Sequence, residues 1–187
     1  MGEKSSGGSL KMKKVGFIGL GNMGLPMANN ILKADIEVNA FDLSKDAMQR
    51  ADELGIATKS SASEVTENID ALITMLPNDK AVEKIFLKED LLEKISKNTI
   101  VIESSTINPE VSKKVSKKAK DMDISMLDAP VSGGVKGAES GTLTFIVGGE
   151  EANLEKAAPL FKIMGDKTFY AGKAGSGQIA KLCNNML

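Results

Sequence analysis

Short apolar runs alternate with amphipathic stretches along this chain, and each pattern predicts its own kind of element. Apolar runs of about four to eight residues are typical of buried strands, whereas apolar positions three and four residues apart are typical of helices with one buried face. The predicted strands cover residues 15–18, 37–41, 56–59, 71–75, 99–103, 125–127, 142–147 and 167–170. The predicted helices cover residues 23–33, 45–53, 62–68, 82–95, a segment that opens at 108–109, residues 151–163 and the residues after 177. This alternation predicts an α/β fold, a doubly wound and mostly parallel Rossmann-type sheet with helices on both faces.

The first predicted strand is followed at once by Gly19, Gly21 and Gly24, in the pattern G-x-G-x-x-G. In such a turn the first glycine permits a tight bend, the second lets the backbone approach a pyrophosphate, and the third lets the next helix pack closely. The free N–H groups and the positive end of that helix then face the phosphates. A strand before the turn and a helix after it favour a dinucleotide site over a plain glycine-rich turn.

Asp42 stands at the end of the second predicted strand. A carboxylate there can accept hydrogen bonds from both hydroxyls of an adenosine ribose, whereas a 2′-phosphate would meet like charge. The position therefore predicts NAD rather than NADP, although the nearby Lys45 could soften that preference. Alternatively, Asp42 is a helix cap or turn residue, and Ser44 could also cap the next helix.

Composition and net charge restrict the binding partners of the chain and the residue types that could transfer a proton. A net charge of −1 over 187 residues gives no bulk attraction to nucleic acid or to an anionic membrane, and no apolar stretch approaches membrane-spanning length. Because Cys183 is the single cysteine, an internal disulfide and a cysteine-based metal cluster are excluded, and a reducing compartment is expected. Cys183 stands in a helical pattern, which predicts a small core residue. Since the chain has no histidine, proton transfer near neutral pH would need a lysine, carboxylate, cysteine or tyrosine, and no metal site is expected.

The chain divides into three parts by composition. Residues 1–12 are rich in Gly, Ser and Lys and are expected to be a disordered leader or a cloning remnant, although Gly2 and Ser6 also match a loose myristoylation pattern. Residues 13–175 are expected to form the dinucleotide-binding domain. Residues 176–187 are expected to be the first turns of a helix that leads to a further domain, because the helical pattern reaches its last residue without a terminating signal.

Three other predicted strands end in segments that could contact a ligand. The sequence Leu76-Pro77 breaks a strand at the edge where ligands bind in open α/β sheets. The three hydroxyl residues 104–106 could bind a ligand or cap the helix that follows. The sequence Ser132-Gly133-Gly134 offers a hydroxyl and two flexible amides to an anion such as a carboxylate, or it is an ordinary turn.

Lys181 is the strongest candidate for proton transfer. Asn184 and Asn185 follow it at spacings of three and four, which places both amides on the lysine's face of the last helix. The lysine lies in the first turns of that helix, where the positive helix end disfavours the ammonium form. An amine that sheds and regains a proton can act as acid and base, whereas the alternative is a surface lysine with polar neighbours.

Five segments, in order, resemble the β-hydroxyacid dehydrogenase family, and most closely its members that oxidise 3-hydroxyisobutyrate. They read VGFIGLGNMGLPMANNILK, MLPN, ESSTI, DAPVSGGVKGAESGTLTFIVGG and GSGQIAKLCNNML, within residues 13–187. The resemblance implies cofactor contacts at Gly19, Leu20, Gly21, Asn22, Met23, Gly24, Asp42, Leu76, Pro77 and Thr106. It implies substrate contacts at Ser132, Gly133, Gly134, Asn184 and Asn185, with Lys181 as the catalytic acid and base.

The resemblance also implies an activity. It is the NAD-dependent oxidation of a small-molecule 3-hydroxy acid, 3-hydroxyisobutyrate, to methylmalonate semialdehyde in valine degradation. The implied assembly of the full-length protein is a homodimer or homotetramer, in the mitochondrial matrix of a eukaryote or the cytoplasm of a bacterium. An all-helical second domain would complete the substrate pocket, so residues 1–187 alone are expected to bind NAD and to turn over poorly.

Two other functions stay open. NADP-dependent glyoxylate, succinic semialdehyde or tartronate semialdehyde reductases belong to the same family. The glyoxylate and succinic semialdehyde reductases typically carry Asn-Arg where this chain has Asp42-Leu43, which counts against them. A non-catalytic NAD-binding module is the other alternative, and the intact Lys181 counts against it.

Overall fold

The computed structural model describes residues 11–186. The predicted leader therefore lies almost entirely outside the described residues, as do Gly2, Ser6 and Leu187. The strands are β1 (Lys14–Ile18), β2 (Glu37–Phe41), β3 (Ala57–Thr58), β4 (Ala71–Thr74), β5 (Ile100–Glu103), β6 (Ser125–Asp128), β7 (Val131–Ser132), β8 (Leu143–Gly149) and β9 (Gly165–Gly172). The helices are α1 (Gly24–Lys33), α2 (Lys45–Glu53), α3 (Ala62–Val65), α4 (Asp79–Glu83), α5 (Pro109–Asp121), α6 (Gly134–Ser140), α7 (Glu151–Met164) and α8 (Ser176–Asn185).

The strands form one sheet in the order β3-β2-β1-β4-β5-β6-β8-β7, with β9 paired to β8. All neighbours from β3 to β6 are parallel. β8 runs antiparallel to β6 and β7 and parallel to β9. The predicted mostly parallel Rossmann-type sheet is confirmed, and the strand order reverses between β1 and β4, where such sheets bind ligands.

Hydrophobic layers cover both faces of the sheet, which explains why its central strands are apolar at nearly every position. On one face Phe17 and Ile73 pack against Met27 of α1 and Phe161 of α7. On the other face Leu72, Val101 and Phe86 pack with residues of α3, α4 and α5. α8 packs on β8 and β9 and also touches α5. Within residues 11–186, no helix has both the length and the apolar character to cross a bilayer.

The single helix predicted over residues 82–95 is wrong. The chain there forms the end of α4, a π-helical turn (Lys84–Lys88) and a 3-10 turn (Leu91–Lys94). Asp90, between the two turns, has a left-handed backbone with φ of 51°. Its carboxylate accepts a hydrogen bond from Lys118 of α5, 28 residues away. A contact at that distance in sequence leaves no trace in the helical periodicity.

Two further expectations differ from the structure. The sequence pattern did not predict α6, a short helix that lacks a side-chain cap and is rich in glycine. Cys183, expected in the core, is exposed. Its helix buries Gly177, Gln178 and Lys181 against the sheet, and Cys183 lies about 200° around the helix from Lys181.

Candidate cofactor and active site

A cleft opens at the carboxyl ends of β1, β2 and β4, where the strand order reverses. Its volume is about 580 Å³, a size typical of small-molecule sites. Most of the predicted cofactor residues line it: Gly19, Gly21, Asn22, Met23, Gly24, Asp42, Leu76 and Pro77. The other two do not line it, since the Leu20 side chain is fully buried and Thr106 is exposed beyond the end of β5.

The three glycines of the first turn have the geometry that a dinucleotide needs. Gly19 has φ of 99°, and a side chain there would overlap the carbonyl oxygen of Met75. A side chain at Gly24 would overlap the carbonyl oxygen of Gly19, so α1 begins in direct contact with the turn. At Gly21, by contrast, no described atom lies within 4 Å of the position that a Cβ would take. This open approach to the backbone beside a helix N-terminus fits a pyrophosphate.

Asp42 braces this turn and also lines the cleft. Its Oδ2 accepts a hydrogen bond of 2.7 Å from the Leu20 N–H, and its Oδ1 accepts one of 2.7 Å from the Ser44 N–H. The cap of α2 is Ser44, whose hydroxyl accepts from the Ala47 N–H at 3.2 Å. Asp42 is therefore not the helix cap, but its bond from the Ser44 N–H makes it a turn residue, as the alternative had it. Its carboxylate also lines the cleft and has lone pairs to spare.

The far end of the cleft is the turn at Leu76 and Pro77, which Ser105 holds in place. The Ser105 hydroxyl accepts a hydrogen bond of 2.7 Å from the Leu76 N–H. Asn108 caps α5, since its side chain accepts from the Glu110 N–H at 2.9 Å. The Ser105 hydroxyl therefore serves the cleft wall instead of capping the helix.

Lys181 lies on the buried side of α8, with 9% of its surface exposed. Among residues 11–186 its ammonium group makes no hydrogen bond or ion pair. Asn184 and Asn185 follow in the last turn and are exposed, because that part of the helix extends past the sheet. The predicted constellation therefore combines one largely buried lysine side chain with two exposed asparagines.

Asp128 of β6 holds the start of α8. Its Oδ1 accepts a hydrogen bond of 2.8 Å from the Gly175 N–H, and its Oδ2 accepts one of 3.2 Å from the Gln178 N–H. Burial raises the pKa of Asp128, and these backbone donors oppose the rise. A Cβ at Gly177 would lie 2.7 Å from Asp128 Oδ2 and 2.5 Å from the Ile146 carbonyl oxygen, so the close approach of α8 to the sheet requires glycine there.

The predicted carboxylate site follows β7. Ser132 is half-buried, while Gly133 and Gly134 are exposed with φ of 130° and 62°. These values lie in the region that favours glycine, so the backbone itself explains why glycines stand there. The 580 Å³ cleft does not include these three residues or Lys181, which lies in the middle of α8.

Glu103 is a buried acid that the sequence reasoning did not single out. It is 1% exposed at the end of β5 and lies opposite Asp128 in the strand register. Its Oε1 accepts from the Ser105 N–H at 3.0 Å and from the Thr74 hydroxyl at 3.2 Å. Its Oε2 has no partner within the described part of the chain. Burial raises its pKa to about 8, with a further contribution from Asp128, so Glu103 is mainly a neutral acid at pH 7.

The sequence reasoning also left out several residues that line or support the site. The cleft wall additionally contains Leu43, Ala62, Ala81, Lys84, Ile85 and Glu89. Lys84, Ile85 and Glu89 lie in or next to the π-helical turn, so the wrong helix prediction concealed them. Asp128 and Gln178 belong to two of the segments that carry the family resemblance. The apolar residues next to them in sequence could have predicted that these polar side chains are buried.

Known proteins resemble this chain over most of its length. The family model described as the NAD binding domain of 6-phosphogluconate dehydrogenase matches residues 14–172. An NAD-dependent L-serine dehydrogenase of Pseudomonas aeruginosa is 48% identical over 177 residues, which are 94% of this chain and 59% of that protein. The mitochondrial 3-hydroxyisobutyrate dehydrogenase of Mus musculus is 47% identical over 174 residues, which are 92% of this chain and 52% of that protein.

The fold agrees with a solved structure. The Mycobacterium tuberculosis 3-hydroxyisobutyrate dehydrogenase with L-serine superposes with a TM-score of 0.91 at 42% identity, covering 94% of this chain and 60% of that one. The chain thus spans about half to three fifths of the length of these relatives. The predicted resemblance, and the prediction of an NAD-binding domain within it, are confirmed. The chain belongs to the NAD-binding β-hydroxyacid dehydrogenase family, and residues 14–172 match the family model of the NAD binding domain of 6-phosphogluconate dehydrogenase.

Proposed function

We propose that this chain is the cofactor-binding part of an NAD-dependent 3-hydroxyacid dehydrogenase that oxidises 3-hydroxyisobutyrate to methylmalonate semialdehyde. The observation that carries the proposal is Lys181, a largely buried lysine side chain on α8 with no acid partner among residues 11–186. Its helix is joined to the loop after β5, which also holds the wall of the cofactor cleft. A lysine without an acid partner, on a helix bonded to the cleft wall, can exchange a proton with a bound substrate.

The cleft fits NAD in this proposal. The amides around Gly21 and the start of α1 would face the pyrophosphate, and Asp42 would accept hydrogen bonds from the adenosine ribose. A 2′-phosphate would place two further negative charges beside the Asp42 carboxylate, which disfavours NADP. Leu76, Pro77 and Thr106 would border the nicotinamide. When bound, NAD supplies the acceptor for the hydride that leaves the substrate carbon.

Lys181 moves the proton. As a neutral amine it would take the proton of the substrate hydroxyl while the oxygen becomes a carbonyl, and as an ammonium it would return that proton in the reverse direction. Asn185 and Asn184 would orient the hydroxyl-bearing carbon. The Ser132 hydroxyl and the amides of Gly133 and Gly134 would hold the substrate carboxylate, since the first N–H groups of α6 have no partner within the helix.

L-serine is a second candidate substrate. One relative is named an NAD-dependent L-serine dehydrogenase, and one similar structure is titled with L-serine. L-serine and 3-hydroxyisobutyrate share a carboxylate and a 3-hydroxyl group and differ at the second carbon, which bears an amino group in one and a methyl group in the other. The proposed contacts at Ser132 and Lys181 address only the shared groups, so discrimination would depend on the surroundings of that second carbon.

Residues beyond this chain form part of the proposal. We infer an all-helical domain that completes the substrate pocket, with residues 176–187 leading into it and a homodimer or homotetramer as the assembly. The support is the greater length of the relatives and an exposed apolar strip on α8 made by Ile179, Leu182 and Met186. The relatives include mitochondrial proteins and a bacterial one, which supports the mitochondrial matrix in a eukaryote and the cytoplasm in a bacterium.

Turnover of the full-length protein tests the proposal. With NAD⁺ we expect higher kcat/KM for 3-hydroxyisobutyrate than for L-serine, and higher affinity for NADH than for NADPH. Lys181→Ala should lower kcat at least about a hundredfold and leave NADH affinity within about threefold, because the lysine acts on the proton and does not hold the dinucleotide. Lys173→Ala, at an exposed position just before α8, is the matched control and should change neither value.

Three results would contradict the proposal in different ways. A higher kcat/KM for L-serine would replace the substrate and keep the chemistry. An active Lys181→Ala enzyme would remove the lysine from its role. NADH binding without turnover of any 3-hydroxy acid would favour the non-catalytic module, and a preference for NADPH would favour the semialdehyde reductases.

A further inference from the structure

Gln178 is fully buried one helical turn before Lys181, and both ends of its carboxamide are bonded to the loop after β5. Its Nε2 donates a hydrogen bond of 2.7 Å to the Ser105 carbonyl oxygen, and its Oε1 accepts one of 3.1 Å from the Ile107 N–H. Thr106, the predicted nicotinamide contact, lies between these two anchored residues. One side chain of α8 therefore fixes the backbone on both sides of Thr106.

The same loop residue reaches the cofactor cleft. The Ser105 hydroxyl accepts from the Leu76 N–H at 2.7 Å. Leu76 lines the cleft. A continuous path of hydrogen bonds thus runs from the cleft wall through Ser105 to Gln178.

The opposite end of the path is also anchored. The Gln178 N–H donates to Asp128, which also accepts from the Gly175 N–H. Lys181 follows three residues later, at about 1.5 Å of helix rise per residue. Loss of the bonds between the Gln178 side chain and the loop would therefore let α8, with Lys181 on it, shift relative to that loop.

We propose that Gln178 is a positioning residue, whose carboxamide clamps α8 to the loop at residues 105–107 and so sets the place of Lys181 relative to the nicotinamide end of the cleft. This inference rests on the proposed function. At neutral pH the carboxamide presents a donor and an acceptor side by side, as the Ser105 carbonyl and the Ile107 N–H require, whereas an ionised carboxylate offers acceptors alone. The competing role is a simple staple for α8, which would change stability but not the rate of the folded enzyme.

The test uses the full-length protein with Gln178→Met, which keeps the volume and removes both hydrogen bonds. We expect kcat to fall about 10- to 100-fold, because a displacement near 1 Å costs that much in a positioned reaction, while KM for NAD⁺ changes less than about threefold. Gln49→Met is the matched control, since Gln49 is exposed on α2 and bonds only to Glu53 among residues 11–186. The Gln49→Met protein should retain the wild-type kcat and the wild-type KM for NAD⁺.

A second variant, Gln178→Glu, gives a signature that a staple does not predict. A protonated carboxyl group again donates to Ser105 and accepts from Ile107, whereas a carboxylate repels the Ser105 carbonyl. The ratio of variant to wild-type kcat should therefore rise at least about fivefold as pH falls from 8 to 6. Circular dichroism at each pH establishes that both proteins are folded.

Each outcome decides the matter. Wild-type kcat in folded Gln178→Met, or a flat ratio for Gln178→Glu, overturns the positioning role while wild-type turnover upholds the proposed function. If Gln178→Met melts below the assay temperature, the pH response of Gln178→Glu decides alone. A wild-type protein that binds NADH but has no turnover overturns the proposed function, and the positioning role with it.

Discussion

Replacing Glu103 by glutamine should remove a large pH dependence from the stability of this chain. Glu103 is buried at the end of β5 with one oxygen bonded to Ser105 and Thr74 and the other without a partner among residues 11–186. Burial raises its pKa from 4.5 to about 8. Between these values the folded chain keeps a proton that the unfolded chain has released, so the free energy of unfolding falls as pH rises through that window.

The size of the effect follows from the two pKa values. Each pKa unit corresponds to about 1.4 kcal/mol, so the full difference between 4.5 and about 8 amounts to about 5 kcal/mol. Most of it, about 4 kcal/mol, should appear between pH 5 and pH 9. Glu103→Gln has nearly the shape of the neutral acid and does not titrate. The two proteins should therefore agree within about 1 kcal/mol at pH 5 and separate by about 4 kcal/mol at pH 9, with the variant more stable.

Urea unfolding followed by circular dichroism at several pH values measures this difference. Other titrating groups are present in both proteins, so the difference between them reports position 103 together with its charge interaction with Asp128. Glu67→Gln is the matched control, because Glu67 is exposed on the surface after α3 and should give the wild-type pH dependence. Parallel stability curves for wild type and Glu103→Gln from pH 5 to 9 would refute the burial argument.

Three other substitutions test roles that the structure assigns to backbone and side chains. Gly21→Ala should leave the melting temperature within a few degrees and weaken NADH binding at least about tenfold, because its Cβ meets no described atom but would occupy the path of the pyrophosphate; an unchanged NADH titration would contradict this. Gly24→Ala should lower the free energy of unfolding, measured in urea, by at least about 3 kcal/mol, because its Cβ would overlap the Gly19 carbonyl oxygen. Wild-type stability would disprove the close contact. Asp128→Asn keeps one acceptor and loses the other, so we expect the free energy of unfolding to fall by about 1–3 kcal/mol and hydrogen exchange at the Gln178 amide to become faster. Unaltered exchange would show that α8 does not depend on these hydrogen bonds.

The cofactor turn could be predicted because its signals are local. A tight bend at Gly19 and an acid at the end of the next strand depend on residue type and on spacing within one βαβ unit. The central strands were predicted for the same reason, since a strand buried on both faces must be apolar along its length, whereas the two-residue strand β7 was not predicted. The assignment of Lys181 and of the substrate contacts needed the family resemblance, because spacing alone left a surface lysine equally open.

Only the tertiary structure decided which buried polar groups support the site. Gln178 bonds to residues 71 and 73 positions away, and Asp128 bonds to amides 47 and 50 positions away. Periodicity within a short window carries no information about such partners. Periodicity also could not predict the π-helical turn beside the cleft or the exposure of Cys183, because long-range packing determined which side of each helix meets the sheet. The sequence by itself therefore determined the dinucleotide turn and the layered fold, whereas the three-dimensional arrangement determined how α8 and its lysine are held beside them.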